Sequence, residues 1–225
     1  MATERLDRQR VINAAVALLD AEGLDALSTR RLGTVLEASA NAMYWHVGNK
    51  ENLVGLATNA GFAELELRTD GESWRDRLAA TARELRGLFT RHSWLTAAFS
   101  AHPRIHGPEI VRFQNHLLQV CQQAGFEGFD LDWAGATVFS FVIGDAWGQA
   151  QSPTPDDSSA MTTELLERVK TELTDYPLLL ERYTALANAD PATVDVASFE
   201  FGLCSMLDGL QAHLDHQNGT TSPNT

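Results

Sequence analysis

Between Ser28 and Lys50 the chain reads STRRLGTVLEASANAMYWHVGNK, two short helix-forming segments separated by three residues, and this stretch restricts the possible folds most. Ser28 and Thr29 can accept hydrogen bonds from the orphan backbone N–H groups of a helix start. Leu32, Val35 and Leu36 then recur at helical spacing, which predicts one buried face. Leu36, Glu37 and Ala38 form the turn, and Ser39 offers a second N-cap. The small residues Ala40, Asn41 and Ala42 would let the following helix approach a groove closely. Met43 is expected to point back to the core. Tyr44, Trp45 and His46 are amphipathic, so a hydroxyl, an indole N–H or an imidazole can meet phosphate oxygens while the rings pack. Tyr44 and Trp45 equally suit core aromatics of a small bundle. Lys50 adds a positive charge as the next helix opens. The arrangement points to a helix-turn-helix for DNA.

Upstream, Leu6, Val11, Ala14, Ala15, Leu18 and Leu19 lie close to i, i+3, i+4, i+7 spacing, and Gly23 is a helix stop. A three-helix unit results, with Leu24 and Leu27 plugging it. In LSTRRL, in MYWHVGNKENLV and in the Gly23 break, the chain resembles the TetR family of bacterial transcription repressors, from about Arg5 to Leu56. The resemblance implies DNA-contacting positions at Thr29, Arg30, Ser39, Ala40, Asn41, Tyr44, Trp45, His46 and Lys50. Arg30 and Asn41 are expected at base edges, since guanidinium and carboxamide pair in bidentate fashion with guanine and adenine. Arg31 suits a solvated charge or a phosphate contact. Two positions depart from the family pattern: Glu37 stands where a glycine usually makes the turn, and Gly48 where a basic residue is common.

The 225 residues suffice for one large domain or two smaller ones, and 44% hydrophobic content is ordinary for a globular protein. The most apolar segment, Val138 to Ile143, is far too short to span a bilayer, and a cytoplasmic protein is expected. Cys121 and Cys204 sit in apolar helical patterns without CxxC spacing, so both read as small core residues. The net charge of −13 is unevenly spread: residues 1–60 carry six basic and seven acidic groups, the remainder eleven and twenty-three. The charge that repels phosphate therefore lies mostly away from the reading head.

Beyond Lys50 the expected fold is all-α, with no alternating β-branched runs to make a sheet. A helix-turn-helix domain over 1–50 is joined by a helix from about 50 to 67 to a larger helical domain over 68–215. That domain starts with a capped helix at Ser73 carrying Trp74, Leu78, Leu85, Leu88 and Phe89. Pro103, Gly107 and Pro108 punctuate the next connection; a helix from about Glu109 to Ala124 follows, with Ile110, Phe113, Leu117, Val120 and Cys121 on its apolar side. Residues 151–160 read as a polar loop and 216–225 as a disordered tail. Two segments, about 131–149 and 194–214, suit self-association or the core of a monomer; Phe199, Leu203, Met206, Leu207 and Leu210 line one side of the second. FEFGLCSMLDGL resembles the last dimer helix of TetR proteins, which implies a homodimer, double-stranded operator DNA as partner, and a small-molecule effector.

His92, His102, His106 and His116 invite a metal reading, but Pro103 breaks i,i+4 geometry and HExxH is absent, so neither metal nor other cofactor is expected. Without GxSxG, P-loop or GxGxxG motifs, no enzyme is expected either. GESWRDRLAATARELR and LLQVCQQAGF resemble the tetracycline-repressor branch of the family. Gapless extension from Trp74 sets Phe99 where that branch has a magnesium-ligating histidine, so magnesium–tetracycline recognition does not carry over. A mostly apolar pocket is expected from some of Leu85, Phe89, Trp94, Phe99, Leu117, Phe139 and Trp147, with His116 or Gln119 as polar anchor, although the same aromatics suit a plain core. The expected function is a sequence-specific transcriptional regulator, a repressor released from a palindromic operator by a ligand. The alternative, motivated by Glu37, Gly48 and the acidic total, is a small-molecule binding or protein-interaction helical module with a degenerate DNA-reading head.

Overall fold

A computed structural model describes residues 7–68, 73–102, 106–150, 168 and 172–220, leaving aside the side chains of Ala40, Asn41, Met43, Tyr44, Asn218 and Thr220. Among the described residues there are helices and no strand. In chain order they are α1 (Arg8–Ala26), α2 (Thr29–Val35), α3 (Ala40–Val47), α4 (Lys50–Phe62) and α5 (Trp74–Arg91). Then come α6 (Trp94–Ala101), α7 (Pro108–Ala124), α8 (Gly128–Ala150), α9 (Pro177–Ala187) and α10 (Pro191–Thr220). Two compact units form, one of the residues up to Ala150 together with those from Leu210, the other over Gln151–Gly209.

In the first unit several helix starts are capped by short polar side chains. Asp7, Ser28, Asn49 and Ser73 accept from the backbone N–H groups of Arg10, Arg31, Asn52 and Asp76. Gly23 interrupts α1 at φ 76°, ψ −179°, and a further turn runs to Ala26. Val11, Ile12, Ala15, Leu18 and Leu19 of α1 close on Leu27, Leu32, Val47, Leu53, Val54 and Ala57, all buried. α1 packs against α2, α3, α4 and α6, so the head and the body helices belong to one compact unit. α5, α7 and α8 pack mutually, and the Arg86–Asp145 pair at 2.9 Å, mostly buried, ties α5 to α8.

Several expectations change. Val35 is 50% exposed. Each helical residue advances about 100°, so position i+3 lies about 60° from Leu32 and, on so short a helix, beyond the narrow stripe facing α1. α4 stops at Phe62 rather than about Leu67, because the Arg112 guanidinium of α7 donates to the carbonyls of both Phe62 and Leu65, each at 3.3 Å. The expected tail from 216 begins inside a helix: α10 continues to Thr220, held where Gln217 and His213 reach the Asp130 carboxylate. Cys121 is buried, its thiol pushed up to about 11 by desolvation, whereas Cys204 is exposed. The polar loop expected over 151–160 lies outside the described residues.

In the second unit, α9 exposes Leu178 and Tyr183, and the part of α10 there buries Phe199, Leu203 and Leu207 while Val196 and Phe201 face outward. No helix among the described residues is long and apolar enough to cross a membrane.

Candidate functional site

Around α2 and α3, Arg30 and Trp45 are exposed while Thr29 and His46 are half-exposed. Ser28 caps α2, which sets Thr29 half-buried at its first position and Arg30 fully at the surface. Arg31 is held by Glu22 of α1 through two N–H···O contacts, and that guanidinium pulls the Glu22 carboxyl below its usual range. The turn after α2 puts Glu37 at φ 52°, a left-handed conformation unusual for a residue with a Cβ. Ser39 then caps α3 by accepting from Ala42 N–H at 3.2 Å. Ala40, Asn41 and Tyr44 lie on α3, but their side chains are outside the described residues. Trp45 is 90% exposed, which excludes the bundle-core alternative for it. His46 is half-exposed beside it, and Gly48, at φ 71°, carries the chain round to α4. The Lys50 ammonium donates to the Leu24 carbonyl at 3.1 Å, so it braces the end of α1.

The body holds a cavity of about 450 Å³. Four phenylalanine rings close around it: Phe62 of α4 meets Phe99 of α6 at 5.8 Å and Phe113 of α7 at 5.5 Å, and Phe139 of α8 meets Phe99 at 5.8 Å and Phe113 at 6.2 Å. Edge-to-face contacts dominate, as the ring quadrupole favours. Ile110, Leu117 and Leu118 extend the apolar wall, and His106, Gln114 and Asp132 supply the polar groups.

Of the residues expected at this cavity, Phe99, Phe139 and Leu117 line it. Leu85, Phe89, Trp94, His116, Gln119 and Trp147 do not. Leu85 and Phe89 are buried in the packing of α5. The Trp94 indole donates to Asp20 Oδ1 of α1 at 2.7 Å, the same oxygen that faces His92 Nδ1 at 2.7 Å, while His92 Nε2 faces Glu64 at 3.1 Å. Trp94 and His92 thereby join the head's α1 to the α5–α6 corner. Thr81 gives its hydroxyl proton to the Arg77 carbonyl at 2.8 Å and therefore accepts, at 2.9 Å, from His116 Nε2–H. Burial first, then the Arg112 and Arg77 charges, holds the His116 imidazole below its ordinary pKa. Gln119 and Trp147 lie at the surface.

Several lining residues were missed, yet their spacing carries a signal. Asp132, Gly135, Ala136 and Phe139 fall at i, i+3, i+4, i+7 on α8, and Ile110, Phe113, Gln114, Leu117 and Leu118 follow the matching stripe on α7. Among the described residues no group of three His, Cys, Asp or Glu side chains comes together as a metal site.

α7 holds α4 at two places. Asn59 Oδ1 accepts from Glu109 N–H at 2.9 Å, serving as a cap for α7 from another helix, and Gly107 permits it, since a Cβ there would lie 2.1 Å from that oxygen. Three residues further along, Phe62 enters the cavity wall while Arg112 holds its carbonyl.

Comparison with known proteins agrees with this architecture. Residues 11–57 match the family model of bacterial regulatory proteins of the tetR family, and residues 68–214 match the tetracyclin repressor-like C-terminal domain. An HTH-type transcriptional regulator of Saccharopolyspora erythraea is 34% identical over 181 residues, covering 80% of this chain and 76% of that protein. The HTH-type transcriptional repressor DrrR1 of Streptomyces coeruleorubidus is 30% identical over 222 residues, covering 97% and 82%. Among solved structures, the Streptomyces coelicolor TetR family protein ActR in complex with actinorhodin superposes with a TM-score of 0.79 at 27% identity, covering 95% of this chain and 98% of that one. With both family models matched and a relative 34% identical over most of its length, the chain belongs to the TetR family of DNA-binding transcriptional regulators.

Proposed function

We propose that the chain is a homodimeric repressor that leaves a palindromic operator when a small molecule enters the Phe62–Phe99–Phe113–Phe139 cavity. The observation that carries this reading is the sharing of α4. It begins at Lys50 beside the reading head, and its last residue, Phe62, is part of the cavity wall. A ligand that favours one position of Phe62 must bias α4, because Asn59–Glu109 and Arg112–Phe62 grip its second half. The head over 1–50 then changes its angle and the spacing between two half-sites, roughly 34 Å in register with successive major grooves, is lost. That the similar DrrR1 is a repressor, and that ActR holds actinorhodin, supports this reading.

On the DNA side, Thr29, Arg30, Ser39, Ala40, Asn41, Tyr44, Trp45 and His46 form the contacting edge, with Arg30 and Asn41 at base edges. Lys50 can keep its bond to Leu24 and still offer a donor to phosphate, since an ammonium has three. The dimer uses the two helices read from the sequence: α8 exposes Phe129, Trp133 and Trp147, and α10 exposes Val196 and Phe201. Phe129 and Trp133 already stack at 6.0 Å, an apolar surface that a partner subunit would cover.

The test is selection of bound duplexes from a random pool. A palindrome with half-sites about one helical turn apart supports the reading. Folded, dimeric protein that enriches no sequence would sink it in favour of the interaction module. With an operator in hand, Arg112→Ala is expected to keep DNA binding while weakening ligand-induced release.

A further inference from the structure

We propose that His92 is a positioning residue for the reading head: as an imidazolium bridging Asp20 and Glu64 it fixes α1 to the body, and loss of that proton frees the head and weakens operator binding. The inference rests on the operator-binding reading and adds the proton as an effector acting outside the cavity.

Three elements meet at this ring. His92 closes α5, with its backbone N–H on the Leu88 carbonyl at 2.9 Å, and its side chain is only 8% exposed. Nδ1 faces Asp20 Oδ1 of α1 at 2.7 Å, and Nε2 faces Oε1 of Glu64, two residues past the end of α4, at 3.1 Å. Trp94, the first residue of α6, stands edge-on to the imidazole with ring centroids 6.0 Å apart.

The two contacts need two hydrogens, and a neutral imidazole carries one. Both carboxylates already act as acceptors: Asp20 Oδ1 takes the Trp94 indole N–H at 2.7 Å, and the other oxygen of Glu64 takes Arg91 Nε–H at 3.4 Å. The ring therefore donates at both nitrogens and is positively charged. Among the described residues, the charged groups around it are Asp20 from α1, Glu64 after α4 and, behind Glu64, Arg91 from the last turn of α5. Glu109 of α7 lines the same cleft but is engaged by Arg112 at 2.7 Å.

With one proton fewer, a carboxylate oxygen would face an imidazole lone pair at hydrogen-bond distance, which repels. Asp20 and Glu64 are 34% and 43% exposed, so either can turn to water. The ring then holds α1 or the turn after α4, not both, and the angle of the head is no longer fixed from two sides. Histidine is the side chain whose charge changes between about pH 5 and pH 8, so operator affinity is expected to fall as pH rises through that range.

The experiment begins without DNA, as double-mutant cycles in urea unfolding of the full-length protein at about pH 6 and about pH 8. His92→Gln is combined with Asp20→Asn in one cycle and with Glu64→Gln, which leaves the Trp94–Asp20 bond intact, in the other. Each interaction should shift the unfolding equilibrium by about tenfold at the lower pH, and at least one should drop below about threefold at the higher. Operator titration at constant salt should then show binding about fivefold weaker at the higher pH. His92→Gln should flatten that difference, whereas His46→Gln, at the DNA edge, should weaken binding and keep it. Interactions equal at both pH values in both cycles, or a difference in operator affinity that survives His92→Gln, would overturn the proposal. An operator selection that enriches no sequence would count against the repressor reading alone, and equal cycles against the role of His92 alone.

Discussion

The turns that close α2 and α7 use the same hydrogen-bond pattern but fill it differently. After α2, Ala38 N–H reaches the Gly33 carbonyl at 2.9 Å and Glu37 N–H the Thr34 carbonyl at 3.4 Å; after α7, Phe126 N–H reaches Cys121 at 3.2 Å and Gly125 N–H reaches Gln122 at 3.0 Å. The left-handed residue is Glu37 at φ 52° in the head and Gly125 at φ 106° in the body. The first value lies in the small well that a residue with a Cβ can reach at a cost of about 1–2 kcal/mol; the second lies outside it. The residue after each turn differs as well. Phe126 is buried against Trp74, ring centroids 6.4 Å apart, whereas Ala38 contributes only a methyl group. The body is built to hold its shape, and the head tolerates local strain and leaves its largest aromatic, Trp45, in solvent.

The sharpest way to break this contrast is a pair of aromatic truncations. Phe113→Ala, in the cavity floor, is expected to lower unfolding free energy by about 3–5 kcal/mol, while Trp45→Ala stays within about 0.5 kcal/mol of the parent but loses operator affinity. Urea unfolding and operator titration of both variants read this directly; a Trp45 variant as unstable as the Phe113 one would mean the head's edge is packed after all. Next in size, Gly125→Ala forces a Cβ into a conformation only glycine accepts and should cost about 2 kcal/mol in the same unfolding assay. Glu37→Gly runs the other way: relief of the head's strain should add about 1 kcal/mol, and removing a carboxylate from the DNA side should tighten operator binding. Loss of stability in that variant would show that Glu37 contributes something besides a turn.

The smallest effect is acid sensitivity in the body. His116 has its pKa lowered on folding, so the unfolded chain binds a proton that the folded chain resists. Its contribution is complete above the ordinary value of 6.5 and is lost as pH falls below it. Unfolding midpoints between pH 7.5 and pH 5.5 should fall less steeply in His116→Gln, whose amide can still donate to Thr81; equal slopes would remove His116 from the account.

Much of the head was legible because its signals are local. The caps at Ser28 and Ser39, the break at Gly23 and the three-residue turn each depend on residues within one helical turn, and the structure places them as the spacing implies. Val35 failed because a seven-residue helix has too narrow a buried stripe for i+3 to be safe. In the body, the buried face of α7 was readable from its period, but the use of that face was not. Phe113 and Leu117 were legible as apolar, and nothing local distinguishes a ring that fills a core from one that bounds a void.

Sequence alone determined the all-helical class, the caps at Ser28 and Ser39, the break at Gly23 and the separation of charge between head and body, since each follows from neighbours along the chain; the stop of α4 and the exposure of Trp45 did not. Only the tertiary structure decided that Phe62, Phe99, Phe113 and Phe139 meet around one cavity, that Trp94 and His116 find partners in Asp20 and Thr81 instead, and that Asn59 and Arg112 tie α4 to α7. Those contacts join residues far apart in the chain, 35 positions in the case of Thr81 and His116. They exist because helices of given length and amphipathic face must stack to exclude water, a condition set by the whole fold rather than by any one segment.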